Sequence, residues 1–293
     1  MKKFFQVTTI IIIIILLILY LINANLIINN ILEYTDLFFR KLFPANFIIY
    51  ILSSLLIDYG IINILSKLNL NGPIIYVTLM SLINGFPSGA KHTKDLLDKN
   101  LISTKIANYL ITYTNFPNPL FLLGTISTII GKKEAKKLFL IILISNLIIA
   151  FIFKRTDNFP IKINKFILPN FTTSLKNATY NGIKTLLVIY SSSLFFYLIA
   201  VIINKYLTLS PFNYIILNNI FDLTKGIIST TIISDTSIKT FIILLFLSFG
   251  SIPIHIQIKS IIADTSIKYK NYLIGRIIET MISTILLIFF SKL

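Results

Sequence analysis

The residues able to do chemistry in this chain gather where its apolar runs are broken. Asn84-Gly85-Phe86-Pro87-Ser88-Gly89-Ala90-Lys91-His92 follows one such run. Gly85, Pro87 and Gly89 allow a helix to unwind there, Ser88 offers a hydroxyl, and Lys91 and His92 add charge and donors. A further break, Asn115-Phe116-Pro117-Asn118-Pro119, presents the amides of Asn115 and Asn118 after the hydroxyl of Thr114. Asp222, Thr224 and Lys225 place an acid, a hydroxyl and a base ahead of Gly226. Gly250-Ser251-Ile252-Pro253 is followed by His255 and Gln257. Helix N-termini and unwound backbone expose N–H groups and partial positive charge, so the chemistry these breaks share is capture of a small anion. The candidate substrate-binding residues are Gly85, Pro87, Ser88, Gly89 and Lys91 at the first break, Asn115 and Asn118 at the next, Asp222, Thr224 and Lys225, and Gly250, His255 and Gln257. Ionisable groups in apolar surroundings are functional candidates because their desolvation is costly. The plainer reading has Lys91 and Lys225 snorkelling to headgroups and His255 serving as a hydrogen-bonded structural ring.

Other chemistries are poorly served. There is no Cys and there are only two His, which removes thiolate sites and makes a multi-His metal centre untenable. His92 is followed by Thr-Lys-Asp and His255 by Ile-Gln-Ile, so neither opens a zinc-protease motif. A Ser88–Lys91 dyad lacks an oxyanion-hole signature, and only Asp58 and Asp222 lie in apolar context. The expectation is a protein that is not an enzyme and needs no cofactor or metal. Lys and Arg outnumber Asp and Glu by 27 to 11, a net charge of +16. These charges sit in short clusters between apolar runs, which points to anionic lipid headgroups and an anionic solute rather than to nucleic acid.

The elements that must position these residues are membrane helices. The chain has 293 residues, 55% hydrophobic and 13% charged, with a mean hydropathy of +0.84; soluble domains carry about 25% charged residues. Lys2 and Lys3 precede an apolar stretch from Val7 to Ile28 that reaches roughly 30 Å as a helix, an anchor in preference to a cleaved signal peptide. Residues 29–46 read as an interfacial helix or a connecting loop, ended by Pro44. Phe47–Leu65 is a spanning candidate, and Ile74–Ile83, Ile106–Tyr113 and Leu120–Ile130 are too short to span. Such pieces suit half-helices and re-entrant hairpins, tolerated at membrane depth when buried in protein or lining a cavity. Leu138–Phe153, Leu186–Ile203 and Tyr272–Phe290 are further spans, while Tyr214–Phe221 and Phe241–Phe249 are short and broken. Basic clusters flank Leu138–Phe153 on both sides, so charge leaves the orientation open.

A shift of 165 residues lays Gly85 on Gly250, Leu96-Leu97 on Ile261-Ile262 and Lys105 on Lys270. In both copies a short apolar run reaches a Gly/Pro break, then a polar stretch, then another helix. Paired interrupted segments are the sequence pointer to a transporter site near the midplane. The expected organisation is a membrane anchor and interfacial segment at 1–46 and a transport domain at 47–293. Its halves, 47–153 and 172–293, are separated by the basic stretch Lys154–Lys176. The expected fold class is an all-α polytopic membrane protein with two related, inverted repeats.

The breaks also resemble those of a known family, the YlbJ-type sporulation integral membrane proteins of the nucleoside-recognition or Gate domain group. Asn84–Lys91 is similar to that family's SGxPxGAK motif, and Asn115 with Pro119-Leu120-Phe121 and Gly124 to its NxxxPLFxxG segment. Phe221–Gly226 resembles its LExTxG segment with Asp in place of Glu, and Ser248-Phe249-Gly250 with His255 and Gln257 its SFGGxSxHxQ segment. Arg276 matches an Arg on the family's closing helix. Asn84, Ser251 and Pro253 depart from these motifs. The resemblance implies a fold related in plan to concentrative nucleoside transporters, and movement of dipicolinate across the membrane around the developing spore of a bacterium. A nucleoside or other small-solute carrier, with ion coupling through Asp222, is the alternative within transport. A non-transporting scaffold in spore morphogenesis is the alternative outside it. A homo-oligomer is compatible with each reading.

Overall fold

The computed structural model describes residues 2–67, 71–154 and 168–291, and among them every regular element is helical. The poly-isoleucine run forms α1 (Lys2–Ile22), exposed along most of its length among the described residues, with Leu19 and Tyr20 packed against the cluster of Tyr34 and Tyr197. Asn23 marks its end: the amide donates to Leu19 O at 2.6 Å and to the Tyr206 hydroxyl at 3.0 Å. Helix then resumes as α2 (Ala24–Leu37), passes through a π turn at Phe38–Leu42, and continues as α3 (Phe43–Asp58). The expectation that Pro44 ends the preceding segment is therefore corrected. Pro44 sits in the first turn of α3, where no backbone N–H is required and its fixed φ suits the helix. Nor is 29–46 a loop, because Tyr34 and Phe38 are buried within it.

Phe47–Leu65 is also not one straight span. Gly60, at φ 80°, separates α3 from α4 (Ile61–Lys67), and the two are bent by 60°. α5 (Gly72–Asn84) opens on Gly-Pro and stops at Gly85, whose φ of 75° no helix interior accepts. α6 (Ser88–Asp98) and α7 (Thr104–Tyr113) follow, the latter capped by Ser103. Residues 114–118 run without regular structure, ahead of a π turn at Phe121–Ile126 and the short α8 (Ser127–Ile130). Gly131, at φ 88°, turns the chain into α9 (Lys132–Ile152). Of the basic boundary Lys154–Lys176, residues 155–167 lie outside the described residues.

The expected span Leu186–Ile203 is the middle of a longer helix, α10 (Phe171–Tyr206), capped by Asn170. α11 (Pro211–Phe221) is capped by Ser210, and Asp222 both ends it and caps α12 (Leu223–Ser229). Asp235 caps α13 (Thr236–Phe249). Gly250-Ser251 separates it from α14 (Ile252–Ile261), and α15 (Tyr269–Ser291) follows.

Among the described residues, five helical stretches are long and apolar enough to cross a membrane: Lys3–Ile22, Lys132–Ile152, Phe171–Tyr206, Thr236–Ile261 and Tyr269–Phe290. The bent α3–α4 pair counts as a sixth if taken together. The run Thr236–Ile261 passes over Gly250, so Phe241–Phe249 belongs to a stretch long enough to span rather than standing as a short piece. The main core is aliphatic and lies among α5–α7, α9 and α13–α15. Two aromatic clusters seat α10: one on α2 through Tyr34 and Tyr197, the other on the π turn and α3 through Phe38 and Tyr50. Isoleucines 10–15, Phe151 and Phe289 face outward, a surface that water would not tolerate and acyl chains do. The chain is a multi-pass helical membrane protein.

Candidate functional site

Asn84 closes α5 and Ser88 opens α6, and the three residues between them turn the chain through the first break. Ser88 donates its hydroxyl to Gly85 O at 2.5 Å, bracing the turn across Pro87. No side chain fits where Gly85 and Gly89 lie. A Cβ on Gly85 would come 2.4 Å from Asn118 N, and one on Gly89 would come 1.6 Å from Thr114 O. The two glycines thus let the first break press directly against the second irregular segment, 114–118. There Asn118 donates to Asn84 O at 3.1 Å and accepts from Leu120 N at 2.7 Å, joining one break to the start of the next helix.

On α6 the side chains one turn in are enclosed. Lys91 is 3% exposed and pairs with Asp95 at 2.6 Å, with its ammonium 5.3 Å from the Tyr50 ring centroid. His92 is fully buried, edge-on to Tyr50 and Tyr76, with Nε2 3.4 Å from the Asn84 amide nitrogen and Nδ1 3.8 Å from the Asp95 carboxylate. Lys91 therefore does not snorkel: a carboxylate one turn along its own helix neutralises it.

The C-termini of α7 and α13 meet at Arg276. Its guanidinium donates to Asn115 O at 3.0 Å, to Ser248 O at 3.3 Å and to the Asn146 amide oxygen of α9 at 3.1 Å. A cation among orphan C-terminal carbonyls satisfies them and complements both helix dipoles. Glu279, one turn further along α15, is its ion-pair partner, and both residues are fully buried. Gly275 permits the approach, since a Cβ there would meet Thr112 O at 1.8 Å.

Gly250, at φ 96°, opens the second-half break. His255 is clamped beside it, with Nε2 3.0 Å from Phe249 O, Nδ1 2.7 Å from the Tyr269 hydroxyl, and its ring against Phe249, Tyr269 and Tyr272. Asn115 donates to the Tyr272 hydroxyl at 3.4 Å, linking this cluster back to the first half. Gln257, two residues on, donates to Ser193 of α10 at 2.9 Å.

The remaining candidates lie against α2. Asp222 accepts from Lys225 N at 2.7 Å as the cap of α12 and from the Tyr34 hydroxyl at 3.0 Å. Lys225 pairs with Glu33 at 2.6 Å and sits over the Tyr197 ring at 5.4 Å, and Thr224 is half-buried in the first turn. α14 carries two of these contacts: His255 packs on Tyr272, which Asn115 bonds, and Gln257 bonds Ser193. Among buried polar atoms, Asn84 Oδ1, His92 Nδ1, Asn115 Oδ1 and Ser251 Oγ have no hydrogen-bond partner among the described residues.

Sequence reasoning passed over Asp95, Asn146 and Glu279. The signals were present: an acid four residues after Lys91, an amide within Leu138–Phe153, and an Arg-x-x-Glu step inside an apolar span.

No family model matches the chain, and no solved structure does. Among curated proteins it is similar to the sporulation integral membrane protein YlbJ of Bacillus subtilis (strain 168). The two are 22% identical over 313 aligned positions, covering 88% of this chain and 76% of that protein.

Proposed function

We propose that this protein is a carrier, acting in a sporulating bacterium, that moves a small organic anion, dipicolinate, through the junction of its helix breaks. The observation that carries the reading is the set of polar contacts at the breaks, Asn84 with Asn118, Asn115 with Tyr272 beside His255, Gln257 with Ser193 and Asp222 with Tyr34, inside a bundle whose outer face is apolar. A lipid-facing bundle without a polar route to maintain has no use for partnerless amide and hydroxyl oxygens at its breaks. The likeness to a sporulation integral membrane protein supports the cellular setting, with the membrane around the forespore as its location. In this reading the Gly85 and Gly250 breaks belong to two inverted repeats of a Gate-like domain. The positive φ at both glycines, each followed by a helix of similar length, supports that. The basic run Lys132–Lys137 then meets anionic headgroups.

A second reading is favoured by the ion pairs. Lys91 with Asp95 and Lys225 with Glu33 leave the breaks without an uncommitted cation, which suits an uncharged solute such as a nucleoside. The test is flux of labelled dipicolinate in proteoliposomes, with nucleosides and phthalate as competitors. Dipicolinate flux that phthalate inhibits and nucleosides do not supports the anion carrier, and the reverse pattern supports the nucleoside reading. If dipicolinate takes the place of Asp95 at Lys91, Lys91→Gln weakens dipicolinate affinity about ten- to a hundredfold, the loss of one charge-assisted hydrogen bond; unchanged affinity assigns the Lys91–Asp95 pair to structure. Absence of flux for every solute would leave a scaffold in spore morphogenesis.

A further inference from the structure

At the first break an amide and an imidazole are placed so that neither can change its hydrogen bonding alone. The Asn84 Nδ2 lies 3.4 Å from His92 Nε2, and the opposite end of the amide, Oδ1, has no partner. With Nδ2 donating, the neutral ring accepts at Nε2 and carries its proton on Nδ1, which faces the Asp95 carboxylate at 3.8 Å. Asn84 is 2% exposed and His92 not at all, so no solvent substitutes for either partner in this conformation. The groups facing the ring are Tyr50 from α3, Tyr76 from α5, and Lys91 and Asp95 on α6 itself. The Lys99–Asp58 pair stands at the α6 C-terminus, and among the described residues only Asp95 comes within salt-bridge range of His92.

We propose that Asn84, His92 and Asp95 form a proton-binding site that couples proton uptake to the solute. When the break opens to water, hydronium transfers its proton to His92 Nε2: an N–H bond forms, water leaves, and the imidazolium keeps its Nδ1 proton toward Asp95. A donor at Nε2 cannot face the amide NH2, so the Asn84 side chain turns, Oδ1 accepts from the ring, and Nδ2 points the other way. The break thereby changes from offering an acceptor to offering a donor, the form that a carboxylate or carbonyl oxygen recognises. Lys91 already neutralises Asp95, so the imidazolium carries a net positive charge that water solvates while the break is open and the bound anion balances once it closes. Proton loading and anion capture are linked through a single amide rotation. This deepens the carrier reading and rests on it.

The test uses the small histidine count. With 15N-histidine label in lipid nanodiscs only two imidazoles give signals, and His92→Asn assigns them. The wild-type protein is expected to show His92 as the neutral Nδ1–H tautomer at about pH 8, and still neutral at about pH 5 without solute, because burial and the Lys91 ammonium hold the ring well below the usual imidazole range. Saturating dipicolinate at about pH 5 should convert it to imidazolium. In Asn84→Leu the neutral ring should become a mixture of tautomers. An Nε2–H tautomer in the wild type, a ring still neutral at about pH 5 with dipicolinate, or an Asn84→Leu spectrum equal to wild type would each overturn the site. In proteoliposomes an inward proton gradient should raise dipicolinate uptake several-fold in the wild type. Asn84→Leu, confirmed folded by thermal unfolding, should lower dipicolinate uptake and lose the response to the gradient; uptake that still rises with the gradient would overturn the coupling. Absence of dipicolinate flux in the wild type counts against the carrier reading, and the spectra still decide the proton site.

Discussion

The breaks at Gly85 and Gly250 have the same backbone turn and different surroundings. Both glycines hold a positive φ and both precede a helix of ten or eleven residues. Around Gly85 the neighbours are backbone and charge: Asn118 and Thr114 press on the glycines, and Lys91, His92 and Asp95 lie on the helix beyond. Around Gly250 they are aromatic. His255 packs among Phe249, Tyr269 and Tyr272, and a Cβ on Gly250 would find no atom nearer than 3.5 Å. Where Lys91 and Asp95 follow Gly85 by six and ten residues, Ile256 and Ser260 follow Gly250. The first break separates two short helices, whereas the second lies within a stretch long enough to cross the membrane. A glycine break therefore specifies where a helix is interrupted, and its neighbours decide whether the interruption becomes a charged, tightly packed turn or an aromatic clamp.

The largest expected effect tests the tight packing. Gly89→Ala places a methyl group on Thr114 O and should abolish nearly all folded protein. Gly250→Ala meets no close atom and only the cost of holding a Cβ at φ 96°, ψ 163°, about 1–3 kcal/mol, and should remain folded. Size-exclusion profiles and thermal unfolding in detergent compare them, and equal losses would erase the distinction drawn above. Next in size is the junction that joins the two sides. Arg276→Gln leaves Glu279 buried without its partner and should cost about 3–5 kcal/mol, while Arg276→Met with Glu279→Leu should recover much of that loss. Unfolding in denaturing detergent measures both; a mild single mutant would mean that the helix ends hold each other without the arginine. Third, if both breaks face one solute, Ser88→Ala and Gln257→Ala should couple in dipicolinate affinity by about 0.5–3 kcal/mol. Additive effects would assign the solute to one break. The smallest effect concerns how the helix ahead of each break begins. Asp235 accepts from Ser237 N and Ile238 N, so Asp235→Ala should cost about 1 kcal/mol. Asn71, ahead of α5, makes no side-chain cap, and Asn71→Ala should change stability by no more than about 0.5 kcal/mol in the same unfolding assay.

The breaks were legible in the sequence because glycine, proline and capping residues act locally. Gly85, Asp222 and Gly250 interrupt helices where their chemistry says they must. Proline is ambiguous by the same local logic: Pro44 stops a helix or starts one depending on what precedes it, and here a π turn leads into α3. The bend at Gly60 was missed because a glycine inside an apolar run reads equally as straight helix. Within the site, the identities of Lys91, His255 and Gln257 were legible and their partners were not. Lys91 finds Asp95 on its own helix, a spacing the sequence does contain, but Gln257 finds Ser193 and Asp222 finds Tyr34 from elements far away in the chain. α2 reads as part of an anchor, yet Asn30, Glu33, Tyr34 and Thr35 all bond α10, Asp222 or Lys225. Such pairings arise from tertiary packing, which no periodicity encodes.

The pairing of Arg276 with Glu279 also bears on how the protein is made. A single charge at the centre of a spanning helix costs about 2.5–3.5 kcal/mol at membrane insertion. Because the two residues stand one turn apart on α15, their charges cancel before any other helix arrives. α15 thus leaves the translocon carrying its own counter-ion, and gains the carbonyls of Asn115 and Ser248 only once it has settled among helices made earlier. Until then the C-terminal ends of α7 and α13 lack the cation that satisfies them. Closing of the α7 and α13 ends accordingly waits on delivery of α15.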